Sequence, residues 1–228
     1  VETSQTETAT ALIQAHIVPV KGVQTLSCEK DDCTKFDFQT IQSNVPWIDD
    51  YFLERIRRAE PVAFQVNESA ASEVMPTGTA SELQVQPEQA LTSVEQRAIQ
   101  VAFLGQRNDF ATFVIKSYQV KTGAEYGLYH NEYVNLDLTQ KKRLALQDVM
   151  KKGSEQKLLD ALYEANIFWL NAHDIDKSKL KLSDNFYFAA SGLVLVYPLY
   201  ELVDYGLGMP ELKVPYVALN GIVEPQYL

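Results

Sequence analysis

The chain has 228 residues, 46% hydrophobic and 22% charged, the composition of ordinary globular protein and enough length for one large domain or two small ones. Its 30 acidic and 20 basic residues leave a net charge of −10, which argues against a nucleic-acid partner and favours solubility or a cationic partner. No apolar run approaches the roughly 20 residues that a membrane span needs.

The chain opens at Val1 rather than Met, so the expectation is that a leader or N-terminal anchor has been removed. Val1 to about Leu12 is rich in Thr, Glu and Gln and reads as a flexible tether. The expected organisation is a flexible N-terminal tail over 1–15, an N-terminal α+β part over 16–143 and a C-terminal α+β part over 144–228.

Strands are expected over about His16–Ser27 and Thr34–Gln42. The two cysteines, Cys28 and Cys33, flank the polar turn between them. A hairpin there brings the two Cα atoms within disulfide range, so Cys28 and Cys33 are expected to be bonded to each other, which implies an oxidising compartment such as the periplasm. The spacing also suits half of a metal site, but no second Cys or His pair completes it. Two free thiols in a reducing compartment are the remaining alternative.

A helix follows, with Asn44 as expected cap and Pro46 in its first turn. Asp49 and Asp50 lie near its start and Arg55, Arg57 and Arg58 near its end, matching the macrodipole. Trp47, Tyr51, Phe52 and Ile56 form the expected buried stripe. Asn67 to Pro87 has neither helical nor strand period and reads as a long loop.

Ile99, Val101 and Phe103 alternate as in a strand, Gln106 to Asp109 turns, and Phe110 to Tyr118 returns as a second strand. Lys121 to Gly127 is a glycine-punctuated loop, and Tyr129 to Leu138 alternates again. Leu144 to Met150 is a short helical turn. Ser154 is placed to cap a helix running to about Asn171, whose Leu158, Leu162, Ala165 and Trp169 recur on one face. Helices and strands segregate along the chain. The fold class is therefore α+β, with antiparallel sheets packed against a few helices.

No nucleophile elbow, zinc-protease helix, P-loop or dinucleotide fingerprint is present. The three histidines, His16, His130 and His173, are scattered, and a lone His is more often structural than catalytic. His173 to Ser178 resembles the start of a calcium loop, but Lys179 stands where the turn glycine belongs and Asn185 where the bidentate Glu belongs. No catalytic residue, metal ligand or cofactor is expected.

Asn185-Phe-Tyr-Phe-Ala-Ala-Ser-Gly192 is followed by an apolar run over Leu193–Tyr200, a Tyr-rich bend, Gly206 and a final edge strand ending at Pro215. Tyr197, Tyr200 and Tyr205 are the densest aromatic cluster, suited to an interface or a sugar-stacking surface but more often found in a core. This C-terminal stretch, Phe186 to Leu219, resembles the RsiV-like extracytoplasmic domains of bacteria. So do Thr40 to Asn44 leading into the first helix, and Lys121–Gly127 through Asn135–Leu138 and Leu144–Asp148. Together they cover most of residues 16–228, with 67–90 unmatched.

The resemblance implies an extracytoplasmic α+β domain, often behind a membrane or lipid anchor. In RsiV such a domain is the sensor of an anti-sigma factor and binds lysozyme; in the deacetylase PdaC it accompanies a separate catalytic domain. Glu125 stands where the family tends to have His. An anti-sigma segment and a membrane span are absent from the sequence, so the signalling role is not expected here.

The expected function is a non-catalytic periplasmic or cell-envelope binding protein, compatible with a lipid anchor outside the chain. Its expected partner is a cationic protein such as lysozyme, or a peptidoglycan fragment. The expected binding residues are Glu125 and Tyr126, on a loop that glycines at both ends allow to bend, and the nearby His130. The alternatives are a cell-wall-modifying enzyme or an accessory domain of one, for which Glu125 and His130 would have to share a pocket, and a structural envelope protein without a sizeable groove. Tyr197, Tyr200 and Tyr205 are expected to hold the scaffold, so that Tyr200→Ala destabilises by roughly 2–4 kcal/mol if that ring is fully buried.

Overall fold

The computed structural model describes residues 10–65 and 93–228. The expected 67–87 loop lies outside the described residues. The strands, in chain order, are β1 (Ala15–Pro19), β2 (Leu26–Glu29), β3 (Asp32–Ser43), β4 (Ser93–Arg107), β5 (Phe110–Lys121), β6 (Leu128–Asp137), β7 (Lys142–Arg143), β8 (Phe186–Ala189), β9 (Gly192–Val196) and β10 (Glu211–Pro215). The helices are α1 (Pro46–Ala59), α2 (Leu146–Val149), α3 (Glu155–Ala165) and α4 (Ile167–Ala172). One sheet has the order β1-β3-β4-β5-β6-β7 with β2 added on β3, and the other the order β10-β9-β8. The α+β class is as expected.

The chain divides into two compact units. Of the described residues, the smaller holds 16–65, 93–101 and 116–129, and the larger holds 10–15, 102–115 and 130–228.

In the smaller unit the expected first strand is broken. Val20 still donates from its backbone to the Phe38 carbonyl at 2.9 Å, but the chain then turns at Gly22, whose φ of +79° suits glycine. It resumes as β2, which pairs antiparallel with β3 so that Cys28 faces Cys33. In β3, Cys33, Phe36, Phe38 and Ile41 are buried. The β3/β4 pair runs parallel, from Asp32 opposite Ser93 to Gln39 opposite Gln100. It is an exception to the expected antiparallel pattern, and α1 lies in the connection that a parallel pair requires.

Helix α1 packs on β3. Asn44 does not cap it. The N-cap is Val45, without a side-chain bond, and Asp49 reaches back instead to the Ser43 backbone N–H at 3.0 Å and the Ser43 hydroxyl at 2.7 Å. The buried stripe is Ile48, Phe52 and Ile56, and Trp47 and Tyr51 are half-buried beside it. The i, i+4, i+8 spacing puts the smaller side chain at Ile48 inward and turns Trp47 aside.

In the larger unit one core joins Leu158, Leu162 and Leu170 of the helices to Leu193, Leu195, Leu212 and Val214 of the small sheet. Every residue of β9 is buried, which explains its unbroken apolar sequence. The expected helix over 154–171 is two helices. It breaks at Asn166, whose side-chain amide donates to the Leu162 carbonyl at 2.9 Å and the Lys213 carbonyl at 3.1 Å. The break shifts the helical phase, so Leu170 enters the core while Trp169 is half-buried and Ala165 exposed. Ser154 does occupy the N-cap position of α3, but its hydroxyl donates to the carbonyls of Lys151 and Ile222 rather than capping the helix.

The tyrosine cluster is not a single scaffold. Tyr197 is 1% exposed, and its hydroxyl donates to the Lys181 carbonyl at 2.5 Å. Tyr200 lies past the end of β9, 55% exposed with φ +69°. The apolar run ends as a strand at Val196 because Pro198 interrupts it.

Residues 1–9 of the expected tail lie outside the described residues. The stretch from Thr10 is bound in place. Ile13 is buried and its N–H donates to Gln106 Oε1 at 2.9 Å, and the Thr10 hydroxyl donates to Asp109 Oδ1 at 2.7 Å.

Candidate functional site

Two clefts lie within the larger unit. The first, of about 370 Å³, is lined by the end of β4 (Leu104 to Arg107), by Phe110 and Thr112 of β5, and by Tyr187 to Ala190 at and beyond the end of β8. The second, of about 400 Å³, is lined by Asn108 to Phe110, Asp137, Thr139, Leu144, Gln226 and Tyr227. Phe110 borders both. Both volumes fall within the range of small-molecule sites.

An aromatic cluster underlies the first cleft. The Phe110 ring meets Phe188 at 5.8 Å and Tyr227 at 5.6 Å, both edge-on, and Phe188 stacks on Tyr227 at 6.1 Å. The Arg107 guanidinium lies over two of these rings, 5.2 Å from the centroid of Phe110 and 5.4 Å from that of Phe188. Its Nη2 also donates to the Tyr227 backbone carbonyl. Cation–π attraction and that bond fix its orientation. Thr112 on the cleft wall donates to Asn135 Oδ1 at 2.8 Å, and Asn135 Nδ2 in turn donates to the Phe186 carbonyl at 2.9 Å.

Tyr187 joins the cleft to a second group. Its ring stacks on Tyr133 at 4.4 Å and its hydroxyl donates to Glu211 Oε1 at 3.2 Å. Burial, the Glu211 carboxylate and Tyr133 push the Tyr187 phenol up to about 12. Burial and then Glu211 raise Tyr133 as well.

The carboxylates of the second cleft have local partners. Asp109 accepts from Thr10, and Asp137 Oδ1 accepts from the backbone N–H groups of Thr139 at 2.9 Å and Gln140 at 2.8 Å, holding the β6–β7 turn. Among the described residues no group of three or more His, Cys, Asp or Glu is placed to hold a metal ion. Asp176 of the calcium-like stretch accepts from the Ser178 N–H at 2.8 Å and starts a 3₁₀ turn.

Glu125 and Tyr126 share the exposed loop between β5 and β6 in the smaller unit, with Tyr126 49% exposed. His130, half-buried on β6, belongs to the larger unit. None of the three lines either cleft. Within the smaller unit the Tyr118 ring lies over Gly127, where an added Cβ would come within 2.4 Å of it. In this loop Gly123, at φ +84°, serves the bend, whereas Gly127 serves the close approach, and a Cβ there would have to displace the Tyr118 ring.

Cys28 and Cys33 form a disulfide across directly opposed hairpin positions, with Cα atoms 4.0 Å apart. Among the described residues no helix is long and apolar enough to cross a membrane.

Sequence reading missed Arg107, Phe110, Phe188 and Tyr227 as a group. Arg107 reads as one residue of a turn, and its carbonyl partner lies 120 positions away. The one local signal was the aromatic run Phe186-Tyr-Phe188.

The family model described as a protein of unknown function (DUF3298) matches residues 135–217, a span that contains most of the C-terminal signature. A DUF3298 family protein from Pseudomonas aeruginosa PAO1 is similar in structure, with 23% identity, 95% of this chain and 96% of that chain covered, and a TM-score of 0.63. A member of the DUF3298 family from Bacteroides fragilis NCTC 9343 shares 14% identity over 96% of each chain, with a TM-score of 0.61. At these identities the likeness establishes the fold alone. No curated protein matches the chain.

Proposed function

We propose that this chain is a non-catalytic, extracytoplasmic binding domain of the cell envelope, RsiV-like in kind, whose partner is a peptidoglycan fragment or a cationic protein such as lysozyme. The observation that carries the reading is the first cleft, where an arginine held over packed rings lines a cavity of about 370 Å³. Pockets with an apolar body and a few fixed polar groups are what small-ligand binding uses. The Cys28–Cys33 disulfide supports an oxidising compartment, and the net charge of −10 supports steering of a cationic protein. The carboxylates of the second cleft serve turn and tail contacts, an arrangement that favours binding over acid–base chemistry.

Isothermal titration against solubilised peptidoglycan fragments and, separately, against lysozyme tests the proposal. Saturable heat with either partner is expected. Absence of heat with both, at low and at moderate salt, overturns it.

A further inference from the structure

We infer that the first cleft is a carboxylate-binding site, with Arg107 as the anion-recognising group and the aromatic cluster as the support for an apolar ligand face. The inference rests on the binding function proposed above and names the chemistry of its ligand. Its basis is that Arg107 lines the cleft without the carboxylate partner that Arg97, Arg143 and Arg58 have; Arg57, which lies over Phe64, lines neither cleft. Arg97 pairs with Glu60 at 2.8 Å, Arg143 with Asp184 at 3.0 Å and Arg58 with Glu54 at 2.9 Å. Among the described residues Arg107 has no carboxylate within ion-pair distance. Its contacts are the Tyr227 carbonyl and the rings of Phe110 and Phe188.

A guanidinium carries five N–H donors in a planar fork that matches a carboxylate. The Tyr227 carbonyl engages Nη2 alone. The rings attract the charge but accept little from N–H groups directed along the guanidinium plane. Arg107 is half-buried, so the donors left over are less hydrated than on an open surface, which strengthens a charge-assisted bond to an arriving anion. The side chain is also already oriented, so little rotamer entropy remains to be lost on binding.

Leu104, Phe110, Phe188 and Ala189 supply the apolar lining, while the Gln106 amide is taken up by the Ile13 N–H and the Ala11 carbonyl and the Thr112 hydroxyl donates to Asn135, which leaves Arg107 as the group that recognises the anion. A ligand that fits has a carboxylate on a body with one apolar face. In peptidoglycan two groups have that chemistry, the lactyl acid of N-acetylmuramic acid and the terminal acid of the stem peptide.

The test measures binding of N-acetylmuramic acid, of N-acetylglucosamine, which has a similar sugar body without the acid, and of a sugar-free stem peptide. Wild type, Arg107→Gln and Arg107→Lys are compared, and thermal melting checks that each variant folds. At least one of the two acids is expected to bind more tightly than N-acetylglucosamine, and which one does so identifies the source of the carboxylate. Arg107→Gln should weaken that acid roughly ten- to a hundredfold, as for loss of a charged hydrogen bond. Arg107→Lys, which keeps the charge but loses the fork, should fall between. Should Arg107→Gln melt early, rising salt applied to the wild type must weaken the acid and leave N-acetylglucosamine unaffected.

Equal affinity for the acids and N-acetylglucosamine, or unchanged acid binding in a folded Arg107→Gln, overturns the inference. If larger peptidoglycan fragments still bind in that case, the envelope-binding function survives and only this site is lost. If neither fragments nor lysozyme bind, both fall together.

Discussion

The β9/β10 pair of the larger unit and the β2/β3 hairpin of the smaller unit are both antiparallel pairs joined by local connections, yet they are held by different means. All of β9 is buried, and its backbone lies so close to β10 that a Cβ on Gly192 would sit 2.2 Å from the Val214 carbonyl oxygen. The β2 side of the hairpin is largely exposed, with Leu26 open to solvent, and a disulfide ties it to β3. One pair is secured by apolar burial and the other by a covalent link. Burial stabilises through the area removed from water, whereas a cross-link acts mainly by restricting the unfolded chain.

The sharpest way to break this contrast is truncation of equivalent leucines. Leu195→Ala in β9, where the side chain is fully buried, is expected to cost about 2–5 kcal/mol in urea unfolding. Leu26→Ala in β2 is expected to stay within about 0.5 kcal/mol. Similar losses at the two positions would mean that the hairpin is held by packing after all.

Removing the cross-link probes the other side. Replacing both cysteines with alanine is expected to cost about 2 kcal/mol, the chain-entropy value for so short a loop. Cys33 is buried and Cys28 exposed, so part of any larger loss should follow Cys33→Ala alone. Melting with and without reductant checks the first expectation. A reduced hairpin that melts at the same temperature would show that its strand pairing suffices.

The same contrast explains what the sequence disclosed. The Leu193 to Val196 run and the Cys28/Cys33 pair were legible because each is a local pattern, set by residues close in sequence. Helix α1 was legible as an element, but its cap was not. Asn44 is a good cap by type, yet Asp49 one turn later satisfies Ser43 instead. The 154–171 helix was read as unbroken because Asn166 is permitted in helices. Its break depends on the Lys213 carbonyl, 47 residues away, which no local pattern announces. The candidate site was least legible for the same reason. Arg107 is a turn residue until a C-terminal carbonyl and two distant rings are brought to it.

A smaller effect, confined to strong alkali, separates the buried Tyr197 and the half-buried Tyr187 from the exposed phenols. Burial raises Tyr187 to about 12, and it raises Tyr197 as well, with Glu201 adding to the second. In the unfolded chain both ionise near the ordinary value of 10.0. The native state therefore keeps protons that the unfolded state has lost, and stability must fall as pH rises above about 10. Their contribution is fully present below that pH and is lost as pH climbs through about 12 for Tyr187. Phenolate absorbance should show a fraction of tyrosines titrating late in the folded protein, and Tyr187→Phe should remove part of that late fraction. Titration of all tyrosines together near 10 would contradict the burial of these rings.

The smallest expected effect is at Tyr200, where the sequence pattern suggested a core residue. The ring is more than half exposed and rests against Tyr205, 5.8 Å away between centroids. Tyr200→Ala should therefore change stability by no more than about 0.5 kcal/mol. The backbone adds a second, opposite expectation. At φ +69° any side chain with a Cβ is strained, by roughly 1–2 kcal/mol, while glycine loses about 0.5–1 kcal/mol through its extra freedom in the unfolded chain. Tyr200→Gly should accordingly melt at or slightly above Tyr200→Ala. The two variants together separate ring from backbone, because they remove the same side-chain contacts and differ only at Cβ. If both lose as much as Leu195→Ala, the ring of Tyr200 is part of the core and its exposed position is not the one that governs stability.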